Sequence, residues 1–148
     1  MTEDPSLNEA IDRTAAAAET FVTGDPDAYT ALWSTGGDVT IFGAFGDGVL
    51  GREELVRRLA WAAARFDGGE LAYEPMAAQA SGDLGYAVGI ERGRVRVGGQ
   101  GPHEMALRVT HVFRREAGQW RLVHRHADPI TAVTPPTAVL GDIPVGQP

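Results

Sequence analysis

The sequence predicts an α+β fold, a curved antiparallel sheet wrapped around N-terminal helices with a cavity between the two layers. Three observations carry this. Helical periodicity is confined to the first 66 or so residues, four long stretches of strand-like alternation follow, and each of the last pairs is joined by a short glycine-containing turn. Such consecutive strands pair as antiparallel neighbours, and the helices cover one of their faces.

The elements can be justified in order. Ser6-Leu7-Asn8-Glu9 reads as a capping box and places a helix start near Leu7. Ala10, Ile11, Thr14, Ala18, Phe21 and Val22 form its apolar stripe, and Gly24 stops it. Asp25-Pro26 reads as a second N-cap, with proline at the first helical position, for a short helix ending near Trp33. A strand is expected over 38–42, then a glycine-rich loop over 43–51. A third helix follows over 53–66, with Leu55, Leu59, Ala62, Ala63 and Phe66 at core spacing. Strands are expected near 70–79 and 84–97, and then in the hairpin from Glu104 to Asp128. The domain therefore spans 1–128. Residues 129–148 hold five of the nine prolines without amphipathic pattern and read as a tail.

Composition excludes several classes of function. The chain has 148 residues and no cysteine, which removes disulfides, thiol nucleophiles and zinc–thiolate sites. A net charge of −7 argues against general nucleic-acid binding. The acidic start lacks the apolar core of a signal peptide, and no apolar run approaches a membrane span, so a cytoplasmic location is expected. All 13 basic residues are arginine. This looks like compositional bias, so an arginine is not a phosphate ligand merely for being one.

The hairpin concentrates the chemistry, with three of the four histidines. Gly118 suits a three-residue loop with a bulge, after Glu116 and Ala117. That register sets Arg115 opposite Gln119, Thr110 opposite His124 and Arg108 opposite His126. One face then carries Arg108, Thr110, His124, His126 and Asp128, with Val112, Leu122 and Trp120 beside them, and is expected to be the wall of the cavity. The other face carries Leu107, Val109, Phe113 and Val123, an apolar row suited to a second copy of the chain. On the preceding strand Gly85, Ala87, Gly89 and Glu91 share a face. Small residues there leave room for a ligand, or simply let the sheet bend.

Several motifs then coincide. Phe21-Val22-Thr23-Gly24-Asp25, Leu32-Trp33, Asp38-Val39-Thr40-Ile41-Phe42, Gly51-Arg52-Glu53-Glu54-Leu55, Leu107-Arg108-Val109-Thr110 and Trp120-Arg121-Leu122-Val123-His124-Arg125-His126 resemble the SnoaL-like branch of the nuclear transport factor 2-like superfamily. This branch is similar to ketosteroid isomerases, polyketide cyclases and a kinase association domain. The resemblance covers about Leu7 to Asp128. It implies a cone-shaped α+β barrel with a deep pocket, usually a homodimer through the outer sheet face. It implies fold more than activity. Ketosteroid isomerase uses a carboxylate base and an oxyanion hole of tyrosine and protonated aspartate. The matching places hold Gly43, a first helix without tyrosine, and Thr110, so that mechanism is not expected.

The site expectations are these. His126 with Asp128 or Glu91 forms an acid–base pair, or Asp128 only caps the strand end. Arg108 stabilises negative charge on a ligand, or forms a buried structural pair with Glu91 or Asp128. Trp33, Phe42, Glu91, Thr110 and His124 line the cavity. His124 and His126 could chelate a metal with Asp128, but a fourth ligand and a second shell are missing, so neither metal nor cofactor is expected. The expected partners are a small apolar or carbonyl-containing molecule and a second copy of the chain. Cofactor-free isomerisation, cyclisation or dehydration would suit this site, and a non-catalytic ligand-sensing or dimerisation domain is the alternative.

Overall fold

A computed structural model describes residues 4–43, 45–130, 133 and 135–140. Three helices, α1 (Pro5–Phe21), α2 (Asp27–Ala31) and α3 (Arg52–Ala63), pack on one sheet. Its strands are β1 (Thr40–Phe42), β2 (Gly48–Leu50), β3 (Phe66–Ser81), β4 (Leu84–Val97), β5 (Gln100–Glu116) and β6 (Gln119–Pro129). They lie in the order β2-β1-β6-β5-β4-β3. Only β1 and β6 run parallel; every other neighbouring pair is antiparallel. This is the α+β architecture expected. A single 3-10 turn at Pro136–Leu140 belongs to the tail. The expected tail begins one residue late, since Pro129 closes β6, and residues 131–132, 134 and 141–148 of it lie outside the described residues.

Local signals account for most element ends, with three corrections. The cap of α1 is Asp4, not Ser6: its carboxylate accepts from the Ser6 and Leu7 amides at 2.9 and 3.3 Å. Pro5 in the first turn needs no amide partner there. The Ser6 hydroxyl is left to accept from Trp120 Nε1 at 2.9 Å, tying the helix start to β6. The 43–51 segment is not all loop, because β2 pairs back on β1 within it. Finally, α3 ends at Ala63 and Phe66 already opens β3, whose first residues arch across a bulge before Gly69. The Asp25 carboxylate does receive the Asp27 amide at 3.0 Å, although Pro26 stands at the N-cap of α2 and not at its first helical position.

The β5–β6 hairpin departs from the expected register in an instructive way. Glu116 pairs with Gln119, so the loop has two residues, and Ala117 and Gly118 both have positive φ (49° and 78°). That is the backbone of a type I′ turn, whose twist matches the flanking strands. Further on, Phe113 faces Leu122 while Val112 faces His124, leaving Val123 as an inserted bulge residue. The bulge shifts the pairing once more. Arg108 therefore faces Asp128 and Thr110 faces His126. Two odd shifts restore the original parity, so Arg108, Thr110, His124, His126 and Asp128 do share a face, while Trp120 and Leu122 leave it.

That shared face is the outer one. The helices cover the opposite side, where Leu107, Val109, Phe113, Trp120, Leu122 and Ala127 are all buried. Burying a large apolar side chain is worth about 1.5–3 kcal/mol. Turning the row Leu107-Val109-Phe113 inward therefore outweighs any use of it as an outer surface. The apolar row expected to meet a second copy is the inner wall of the barrel. Row for row, the inner face of β4 carries Gly85, Ala87, Gly89 and Glu91, as the alternation indicated. At Gly89 an added Cβ would lie 2.6 Å from the Tyr73 ring and 2.5 Å from the Glu74 carbonyl, so the glycine is there to admit Tyr73.

Candidate functional site

Between helices and sheet lies a cavity of about 100 Å3, large enough for several waters or a small organic group. Its walls are apolar. Ala18 and Phe21 come from α1 and Val22 from its C-cap, Leu59 and Ala62 from α3, Ile41 from β1, Phe66 and Leu71 from β3, and Met105 and Leu107 from β5. Polar groups enter at two ends. Tyr29, Glu91 and Arg125 form a buried floor, and Arg58 stands beside Phe45 and Gly43 at the other end. Phe45 and Arg58 also line a hollow on the protein surface with Asp47 and Trp61, so this second end is the mouth.

The floor is an assembled polar cluster. Glu91 on β4 and Arg125 on β6 both project inward from strands flanking β5, and Arg125 sits opposite His111. The guanidinium binds the carboxylate through two nitrogens, at 2.8 and 2.9 Å. Arg125 Nη1 also reaches His111 Nε2 at 3.1 Å and the Tyr29 hydroxyl at 3.3 Å. Tyr29, held by α2, lies 3.0 Å from the same His111 nitrogen. An arginine can only donate, so Nε2 must accept and the His111 proton resides on Nδ1. The Tyr29 hydroxyl then donates to Nε2 while accepting from Arg125.

Each ionisable member is driven away from neutrality. Burial raises the Tyr29 phenol to about 12 against the nearby Arg125 charge. Burial and the Arg125 charge lower His111 to about 3. Burial alone would raise the Glu91 carboxyl, but the charge and hydrogen bonds of Arg125 prevail and hold it below the ordinary carboxylate range. The floor at neutral pH is thus a carboxylate–guanidinium pair, a neutral imidazole and a neutral phenol. Its net charge is zero.

Of the residues expected at the site, only Glu91 lines the cavity. Arg108 and Asp128 form a pair through two hydrogen bonds, 2.8 and 2.7 Å, on the surface rather than buried as the structural alternative for that arginine had it. His126 is exposed on the same outer face, and Thr110 and His124 are only partly covered there. His124 Nδ1 lies 2.7 Å from Thr40 Oγ1. Phe42, half exposed, presents its ring edge-to-face to both histidines at 5.5 Å and so belongs to this outer patch too. Trp33 is 1% exposed, bridges β6 at Leu122 and packs in the core without touching the cavity. The outward turn of the histidine face is the physical reason for all of these corrections.

Sequence reading missed Tyr29, His111, Arg125 and Arg58. A signal for Arg125 was available. It shares the inner face of β6 with Ala127, and Glu91 ends an otherwise small and apolar inner row. A buried acid calls for a buried base. Tyr29 carried no comparable signal, since it is 82 residues from its histidine partner. Gly43, where the isomerase resemblance called for a carboxylate, lines the cavity without a side chain to offer.

Comparison with known proteins agrees with this architecture. A family model described as a SnoaL-like domain matches residues 8–131. The chain belongs to the SnoaL-like domain family. No curated protein matches the sequence significantly. Among solved structures, this SnoaL-like domain is similar to a proposed dehydratase of the nuclear transport factor 2-like family from Streptomyces avermitilis. That match has 23% identity, covers 86% of this chain and 96% of the other, and has a TM-score of 0.71. A ketosteroid isomerase-like protein from Erwinia carotovora atroseptica matches at 20% identity, with 86% and 96% covered and a TM-score of 0.73. A nuclear transport factor 2-like superfamily protein from Salmonella enterica matches at 17%, with 88% and 92% covered and a TM-score of 0.74. At these identities the likeness of the SnoaL-like domain to its neighbours is one of fold.

Proposed function

We propose that this SnoaL-like domain binds a small, mostly apolar molecule in the cavity between helices and sheet. The observation that carries the reading is the cavity itself, with apolar walls closing on a polar floor of zero net charge. Such a floor offers a ligand oxygen a hydrogen bond from Arg125 without demanding a charge. It is poorly suited to proton transfer as it stands. A general acid or base works best with a pKa near the operating pH, whereas Tyr29 lies near 12 and His111 near 3. This favours recognition over turnover.

The second reading is cofactor-free isomerisation, cyclisation or dehydration of a carbonyl compound. Its support is the proposed dehydratase and the isomerase-like protein among the structural neighbours. In that reading the chemistry moves from the outer histidines to the cavity. A ligand that drew Arg125 away would free Glu91 as base, with the Tyr29 hydroxyl turning its proton from His111 to the developing oxyanion. Homodimerisation through the uncovered sheet face is proposed on the family resemblance.

Native mass spectrometry of freshly purified protein tests the binding reading, with Ala62→Trp as the cavity-filling control. A retained small-molecule mass that disappears in the variant is expected. No retained mass, together with no NMR shift change at cavity residues across a panel of small carbonyl compounds, would sink it. Turnover of any member of that panel, lost in Glu91→Gln, would favour the second reading.

A further inference from the structure

The two cations of the cavity are not equivalent. Arg125 is matched by a buried carboxylate through two bonds, so its charge is spent inside the protein. Among the described residues, the ion pair of Arg58 is with Asp47, at 2.8 Å, whose side chain is 77% exposed. An ion pair reaching into solvent contributes little and is easily exchanged. Asp47 also sits on a turn between Gly46 and Gly48, the former at φ 133°, so little in its own chain commits it to Arg58. The Arg58 guanidinium lies 5.8 Å over the Trp61 ring, and Phe45 packs against Trp61 with ring centroids 6.0 Å apart. The mouth thus presents Arg58 in an aromatic frame, beside an apolar cavity whose floor is neutral; Arg65 also lies over Trp61, at 4.5 Å, but outside the cavity lining.

Resting on the reading of the cavity as a ligand pocket, we infer that its ligand is a small amphiphilic carboxylate. The apolar body fills the space between Leu59, Phe66 and Leu107, and the carboxylate replaces Asp47 on Arg58. The body, held by the walls, keeps its carboxylate at Arg58 at a high effective concentration, which Asp47 on an exposed turn does not match. The head stays at the mouth because the floor offers a carboxylate no unmatched cation and would set it beside Glu91. A neutral molecule gains from Arg58 a hydrogen bond at most, without the attraction between charges.

Calorimetric titration of the full chain with hexanoate and with hexanamide, equal in size and differing in charge, tests this. Phenylpropanoate and phenylpropanamide serve as a second pair. The acid of a pair is expected to bind roughly tenfold tighter than its amide. Raising the ionic strength should narrow the difference. Arg58→Gln is expected to abolish the preference by weakening acid binding far more than amide binding, and Asp47→Asn, which removes the competing anion, to strengthen acid binding. Arg65→Gln, on the same helix end but outside the cavity lining, should leave the preference intact. Equal affinity for acid and amide, or a preference that survives Arg58→Gln, overturns the inference while the cavity remains a ligand pocket. Binding of neither pair overturns both readings.

Discussion

At Glu91 and Arg125 two charges lie under the sheet, their side chains 5% and 14% exposed. Such a pair need not stabilise relative to an apolar one, but half of it is costly. Glu91→Leu is expected to destabilise the fold by about 3–5 kcal/mol, and the double variant with Arg125→Met to recover most of that, as read from urea unfolding at neutral pH. Loss of stability in the double variant equal to the sum of the two single losses would show that the pair does not act as a unit. His111 supplies a pH dependence of definite sign. Its pKa is about 3 in the folded protein, against about 6.5 unfolded. Between those values the unfolded chain binds the extra proton, so stability falls as pH falls through that window, by up to about 1.4 kcal/mol per pH unit. The difference in unfolding free energy between the natural protein and His111→Gln should be constant above the window and shrink below about pH 6.5. A difference independent of pH would show that His111 titrates normally. The depressed Glu91 carboxyl acts in the same direction at lower pH. Its contribution is present above the ordinary carboxylate range and is lost as pH falls through its folded pKa.

The hairpin of β5 and β6 shows how an element can be legible in its residues and not in its register. Gly118 announced a turn, but both a two-residue and a three-residue loop accept glycine at that place. The choice rests on Ala117, whose φ of 49° is unfavourable for an L-residue and is held by the strands on either side. Ala117→Asn is therefore expected to stabilise the hairpin by about 0.5 kcal/mol, since asparagine tolerates this conformation better. An unchanged or lowered urea midpoint would count against the I′ geometry. On β4 the inner glycine at 89 is required by Tyr73. Gly89→Ala should cost about 1–3 kcal/mol by overpacking, because the new methyl meets both the ring and a backbone carbonyl. A neutral Gly89→Ala in the same unfolding experiment would mean that Tyr73 swings clear.

On the scale of the molecule, one layer of helices covers one side of a six-stranded sheet, and the other side of β4, β5 and β6 has no covering element among the described residues. Its surface includes Val88, Ile90 and Val112, partly covered, and Tyr86, 39% exposed. If a second copy of the chain meets this face, sedimentation velocity should report a dimer, and Val112→Arg should yield a monomer that keeps its cavity. A monomeric natural protein at micromolar concentration would refute the proposal. No described helix is long and apolar enough to cross a membrane. The cavity has the opposite relation to the fold. Its walls come from α1, α3, β1, β3 and β5, with Glu91 the contribution of β4, so it needs no partner to form them.

Alternation along the chain determined a good deal by itself. It marked β4 from Leu84 to Val97 and grouped Gly85, Ala87, Gly89 and Glu91 on one face. It also grouped Arg108, Thr110, His124, His126 and Asp128 on another, and with the helical stripes before it announced the α+β class. What alternation cannot say is which of two faces looks inward. A period of two is symmetric, and only the placement of the helices breaks the symmetry. Here the helices lie on the side of Leu107, Val109 and Phe113, because burying that row releases more apolar surface than burying the histidines would. With that choice made, Arg125 was carried to Glu91 and Tyr29 to His111, while His126 was left in solvent. The tertiary structure decided the site, since its members come from α2, β4, β5 and β6, and no local spacing relates them.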